Sequence, residues 1–403
     1  MAKRKVVKKK KKKVVKKKVT KVAAAKKSPR AKKLTPRDKS TLKNLEKLAD
    51  KVVSAATRLK EPHVDIPSRT LSNVSYSPRK KIIEMGRNTN RRELFNLNQA
   101  KAYMQTMLVA NGCKELIDEG VTTSIRGLYY KLKHTIPGTK ENTFNEQSES
   151  DPIIEDVEVL INSLREELHL FAQKKGHMVG DITVIDSGAA RTCEIDCSQV
   201  GIGGYGIPSI VEPEVLQFKK CKAKFVLHVE KAAVWDRFNE DDFWRKHGCL
   251  LTHGGGQPSR SVRRLLYRLH NELKLPVYVL ADNDPWGYYI YSVIKQGSIN
   301  LAYESQRMAV PAAKYLGVRS IDLDRCGLDP NAAAIALSDS DRKRAQQIAK
   351  YPWFAKKKHW QKEINVMLKN GYKVEVEGLI TRGIRYVTEE YVPERLKKKD
   401  WLD

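Results

Sequence analysis

Apolar residues recur along this chain with two different periods, and the change of period divides it. Between Thr41 and Leu59, the positions Leu42, Leu45, Leu48, Val52, Val53, Ala56 and Leu59 follow the repeat of an amphipathic helix. Residues 60–94 are polar and hold Pro62, Pro67 and Pro78, which predicts a linker or a partner-docking segment. Helix resumes near Asn96, with Leu97, Ala100, Tyr103, Met104, Met107 and Leu108 in register. A second helix, Ser124 to His134, carries Tyr129 and Tyr130, and Pro137-Gly138 ends it. Asn142 to Asp151 reads as a loop. Ile153 to Ala172 then predicts a long helix with Ile154, Val157, Leu160, Ile161, Leu164 and Leu168 on one face. Gly176 and Gly180 bracket a turn before the β-rich run Asp181 to Ile185. Helices followed by a hairpin-like strand pair predict a winged helix-turn-helix.

From Lys224 the pattern becomes α/β. Phe225 to Val229 is a short apolar run ending at Glu230, and Pro276 to Ala281 is another ending at Asp282, as buried parallel strands would be. Helical stretches lie between and after them (Val262–Leu273 and Tyr288–Gln296). Ligands of open α/β sheets bind beyond the carboxyl ends of strands, where both acids fall. Gly201 to Gly206 matches the dinucleotide fingerprint formally, but Pro208 follows and no buried strand precedes it, so a loop is the expectation. Asp341 to Asp403 reads as helical and basic, and no chemistry is assigned to it.

Charge adds a tail to this picture. Of the formal net charge of +29, residues 1–40 hold +19, with Asp38 their one acid. Such a block cannot bury a core and is expected to be disordered, with nucleic acid as partner through counterion release. A merely solvated tail and a nuclear address are the plainer readings. No apolar stretch follows it as in a signal peptide, and no segment approaches a membrane span, so a soluble protein is expected. Cys113, Cys193, Cys197, Cys221, Cys249 and Cys326 lack zinc-finger spacing and read as reduced thiols.

The candidate chemistry combines a nucleophile with acids. A tyrosine hydroxyl attacking phosphorus would form a covalent phosphotyrosine, which keeps the energy of the broken bond. Arg126 shares a helical face with Tyr130 and can clamp the same phosphate. Spacing does not choose between Tyr129 and Tyr130, and most tyrosines only pack. Asp282 and Asp284 fall on one face if the strand continues through them, and with Glu230 they could cage a hard divalent cation. Alternatively, Asp-x-Asp is a turn and Asp284-Pro285 starts a helix. His253 to Arg260, leading to Arg263 and Arg264, suits phosphate binding at a Gly-rich helix start, or is a tight turn before an ordinary basic helix. Lys131 is a further phosphate candidate, and His134, His228 and His253 are possible proton carriers.

At these residues the chain resembles the A subunit of type IIB DNA topoisomerase VI and, more distantly, the meiotic double-strand-break family. The resemblance runs from about Arg91 onward, through Ile125-Arg126-Gly127-Leu128-Tyr129-Tyr130, Glu141 to Phe144, Glu149 to Asp156, Gly256 to Arg260, and Asp282 to Gly287. It implies a catabolite-activator-like winged-helix domain over 95–210 and a toprim domain with a helical extension over 215–403; before them the sequence pattern itself gives a disordered tail over 1–40 and a helix and linker over 41–94, a possible partner-docking segment. It also implies Tyr130 as nucleophile, Glu230 and Asp282 as principal Mg²⁺ ligands, and Asp284 as third acid. The partners implied are double-stranded DNA, a second copy of the chain, and a GHKL-type ATPase B subunit that brings ATP, in an A2B2 heterotetramer. Gly127 departs from the family's usual acidic residue. The expected function is reversible double-strand cleavage, located in the cytoplasm with the nucleoid, or in the nucleus of a eukaryote. The rivals are a meiotic-type break-maker without strand passage, a non-catalytic chromatin-binding protein, and a toprim nuclease that uses water.

Overall fold

The computed structural model describes residues 34–172, 174–188 and 191–403. The tail expected over 1–40 falls outside them except at its end, where the expectation needs correction. Helix α1 spans Pro36–Thr57 and starts inside the basic block, because Thr35 and Asp38 form a capping box around Pro36. Its Leu42, Leu45 and Leu48 are buried.

The stretch 60–94 is not a linker. It folds into two small antiparallel pairs, with β1 (His63–Pro67) on β4 (Thr89–Glu93) and β2 (Val74–Ser77) on β3 (Ile82–Met85). Alternation explains this: Val64 and Ile66 point inward from β1, and Ile82 and Ile83 are buried. Three prolines outweighed that weak signal in the sequence pattern.

Helix α2 (Leu97–Glu119) is capped by Asn96 and ends at Gly120, whose φ of 66° is the left-handed stop that glycine supplies. Helix α3 (Ile125–Leu132) and α4 (Gln147–Leu160) pack on α2. The helix expected over Ile153 to Ala172 begins earlier and stops earlier, since Asn162 turns left-handed at φ 51°. Ile161 and Leu164 still bury from irregular backbone and Leu168 from the 3₁₀ turn Arg165–Leu168, which periodicity alone cannot distinguish from a continued helix.

The strands expected to close a wing belong elsewhere. In chain order β5 (His177–Gly180) comes first, and β6 (Ile182–Asp186) follows it into a separate antiparallel sheet, between Cys193–Asp196 and Leu216–Cys221. Within the helical unit, Thr123–Ser124 pairs with Leu170–Phe171 in parallel. The Gly201–Gly206 stretch is a turn ending in a short edge strand, Tyr205–Gly206, on β5.

The C-terminal unit is a six-stranded sheet in the order Tyr205–Gly206, β5, Cys249–His253, Phe225–Val229, Val277–Leu280, Lys314–Gly317. The last four strands are mutually parallel. Apolar cores lie on both faces: Val262, Leu265 and Leu269 from the helix Arg260–Leu273 in one, and Trp235 and Phe238 from the helix Ala232–Glu240 in the other. Burial on both faces accounts for the continuous apolar runs that end at Glu230 and Asp282.

Candidate active site

Helix α3 decides which tyrosine meets solvent. Ser124 caps it, its Oγ accepting from the Gly127 amide at 2.9 Å. Leu128, Tyr129 and Leu132 turn inward. The Tyr129 hydroxyl donates to the Asn145 carbonyl at 2.8 Å and accepts from Lys133 Nζ at 2.8 Å, so it is a packing residue with a satisfied polar tip. Tyr130, one position on, is 59% exposed. The Arg126 guanidinium, by hydrogen bonding and charge, holds the Tyr130 hydroxyl below its ordinary pKa. Glycine at 127 reflects a close approach: a Cβ there would meet Thr123 Oγ1 at 2.2 Å, so a larger residue needs Thr123 to rotate.

The acids stand at the sheet's carboxyl edge. Glu230 and Asp282 follow neighbouring parallel strands, and Glu230 Oε2 accepts from the Asp282 amide at 3.2 Å. Burial, with Asp282 and Asp284 close by, raises Glu230 to about 7. Burial raises Asp282 to about 6 against the pull of the Val376 amide and Lys231. Asp284 is likewise raised by burial. The strand ends at Leu280, so strand pleating does not align Asp282 with Asp284. Asp284 caps the helix Pro285–Gln296, accepting from the Gly287 amide at 2.5 Å. Asn283 between them is buried under Tyr288 and Ser320.

The C-terminal stretch, given no chemistry from sequence, reaches across this edge. Val374 and Asn283 exchange backbone hydrogen bonds, and the Val376 amide donates to Asp282 Oδ1 at 2.9 Å. Glu375 and Glu377 then meet Lys231, whose Nζ lies 2.8 Å and 3.0 Å from them and 3.0 Å from Asp282 Oδ2. The alternation through Lys373-Val374-Glu375 was the available signal of an extended strap, which passes into the 3₁₀ helix Val376–Arg382.

Two expected phosphate ligands face inward. Arg260 is buried among Glu158, Glu166 and Glu304, and Arg263 pairs with Glu304 at 2.6 Å. A guanidinium enclosed by carboxylates is closed to phosphate, so both are corrected to structural roles. Lys131 pairs with Glu115 at 2.8 Å. The Gly-rich loop is the tight-turn alternative: the Gly256 amide donates to the Glu230 carbonyl at 2.9 Å. Burial lowers His228 to about 3 and His253 to about 4, which leaves both neutral and poor proton carriers at pH 7.

Among the described residues, no three His, Cys, Asp or Glu side chains are gathered as a metal cage. Asp282 is engaged by the strap and Lys231, and Asp284 by its helix. The donor set nonetheless fits a hard divalent cation, because two buried carboxylates and a half-buried third that repel one another are what such an ion stabilises most.

A tyrosine presented on one unit and carboxylates at the strand ends of another define a bipartite phosphodiester-handling fold. Residues 225–396 match the family described as the toprim domain of the topoisomerase 6 A subunit and Spo11. Residues 101–170 match type IIB DNA topoisomerase, and 174–222 the all-beta domain in DNA topoisomerase VI alpha subunit. Relatives named as the A subunit of type 2 DNA topoisomerase 6 include that of Pyrococcus horikoshii, 40% identical over 89% of this chain and 94% of the relative. That of Aeropyrum pernix is 39% identical over 88% and 93%, and that of Halobacterium salinarum 34% over 83% and 90%. The chain belongs to the family of topoisomerase 6 A subunits and Spo11, among the type IIB DNA topoisomerases. Its activity is that of the enzyme's DNA-cleaving subunit.

Proposed function

We propose that Tyr130 is the nucleophile that cuts DNA. Its oxygen forms a bond to phosphorus as the bond to the 3′-oxygen breaks, leaving the 5′ end esterified to the protein. The phenolic proton passes to solvent, and the departing 3′-oxygen takes one up. Arg126 favours the phenolate and neutralises the phosphate it attacks. Glu230, Asp282 and Asp284 would hold Mg²⁺, which would stabilise negative charge on the scissile phosphate when bound. Religation is the reverse attack by the 3′-hydroxyl. The observation that carries this reading is the exposed Tyr130 beside Arg126, set against the buried and satisfied Tyr129.

The helical unit with α3 serves as a winged-helix-like module that brings Tyr130 to double-stranded DNA. Two copies of the chain act together, one cut per strand, with a GHKL-type ATPase B subunit supplying ATP-driven gating in an A2B2 assembly on nucleoid DNA in the cytoplasm. The Lys-rich N-terminal residues add sequence-blind affinity for the duplex.

The test is denaturant trapping with the B subunit, ATP and Mg²⁺. Wild type and Tyr129→Phe should leave DNA covalently linked to protein at Tyr130, and Tyr130→Phe should leave none. Adducts that persist in Tyr130→Phe would overturn the assignment, and cleavage without adducts would indicate attack by water.

A further inference from the structure

We propose that Lys231 is the active site's resident counter-cation, a clasp that ties the strap to Asp282 until a metal takes its place. The proposal rests on the acids being a metal site.

Lys231 directly follows Glu230 and opens the helix Ala232–Glu240, so its backbone is fixed by the sheet edge. Its ammonium touches carboxylates from two segments: Asp282 on one side, and Glu375 and Glu377 of the strap on the other. Both oxygens of Asp282 are therefore occupied, Oδ1 by the Val376 amide and Oδ2 by Lys231. Three carboxylates meet the Lys231 ammonium, those of Asp282, Glu375 and Glu377, with Glu230 on the Asp282 amide. Lys373, the strap's own lysine, is paired with Asp341 at 3.0 Å. Without Lys231, the strap glutamates would face Asp282 with no cation between them, and like charges at that range repel.

A cation taking Oδ2 of Asp282 competes with the ammonium for that oxygen and, on this proposal, displaces it. Lys231 is not set free by this, because Glu375 and Glu377 hold it from the far side. The exchange swaps one cation for another at Asp282 while the strap stays tethered to the sheet edge. Lys231 is a positioning residue in this scheme and touches no substrate.

Full-length wild type, Lys231→Met and Asp282→Asn are compared by calorimetric titration with Mg²⁺ and by amide hydrogen exchange at 374–379. Lys231→Met should bind Mg²⁺ about five-fold more tightly, since the competing ammonium is gone. Its strap amides should exchange faster without metal and recover only in part with it. Glu375→Gln/Glu377→Gln, which keeps Lys231 but removes its far anchor, should show the same faster strap exchange with weaker Mg²⁺ binding. Tighter binding with unchanged strap exchange would reduce Lys231 to a simple field effect and overturn the clasp, as would unchanged affinity. If wild type binds no Mg²⁺, or Asp282→Asn binds it equally well, the metal reading fails first and takes the clasp with it.

Discussion

Replacing Arg260 by methionine separates the sequence's expectation from the structure's. Arg260 Nη1 lies 2.6 Å from Glu304 and 3.2 Å from Glu158, and its Nε lies 3.2 Å from Glu166. Glu158 and Glu304 are fully buried. The cluster joins α4 and the turn at Arg165–Leu168 of the tyrosine-bearing unit to the α/β unit. Arg165 pairs with Glu158 and Arg263 with Glu304, each at 2.6 Å, so the variant leaves three acids facing two arginines. Stranding a buried carboxylate costs about 3–5 kcal/mol. For a domain of this size that lowers the apparent melting temperature by roughly 5–10 °C. The sign with pH follows from Glu158, which burial opposes but Arg260 and Arg165 hold below its ordinary value. A lowered carboxyl contributes stability above its unfolded pKa and loses it as pH falls, so the gap between variant and wild type should be widest near neutrality and narrow in acid. Glu166→Gln added to the variant should restore part of the loss, because Arg260 is that acid's cation whereas Glu158 and Glu304 keep Arg165 and Arg263. DNA binding is measured as affinity against salt, and its slope should not change. A normal melting temperature with a salt slope shallower by about one charge would refute the buried role and restore Arg260 as a phosphate contact.

Two further outcomes follow from the same geometry. Glu230 and Asp282, raised to about 7 and about 6, bind protons more tightly folded than unfolded, so metal-free stability should fall as pH rises through their range. Mg²⁺ affinity should rise over the same range, and calorimetry in buffers of different ionisation enthalpy should detect proton release at about pH 6 that vanishes at about pH 8; equal release at both would contradict the raised values. Removing residues 1–33, which spares the Thr35 cap of α1, should weaken DNA binding and flatten its salt dependence. Cleavage at matched DNA occupancy should survive, and its loss would assign those residues a role in the chemistry.

Much of the α/β half was legible because its strands are buried on both faces and read as unbroken apolar runs, which placed Glu230 and Asp282 at strand ends. The Tyr pair sat on a helix as its spacing indicated; spacing left the two equal, the resemblance pointed to Tyr130, and packing against Asn145 and Phe144 shows Tyr129 to be the enclosed one. Arg260 misled because a basic residue after a Gly-rich loop looks the same whether its partner is phosphate or a glutamate far away in sequence. The strap escaped notice for a related reason: Glu375 gains meaning only beside Lys231, 144 residues away. Ile182 was correctly β and wrongly placed, since a strand's own pattern does not name its neighbour. Local grammar was readable and long-range partnership was not.

The crossing of Val374–Glu377 over the sheet edge also bears on how the protein is made. Glu230 and Asp282 emerge from the ribosome well before the segment that roofs them. A nascent polypeptide thus carries the floor of the acidic site without its cover until residues 374–377 have been made and have docked.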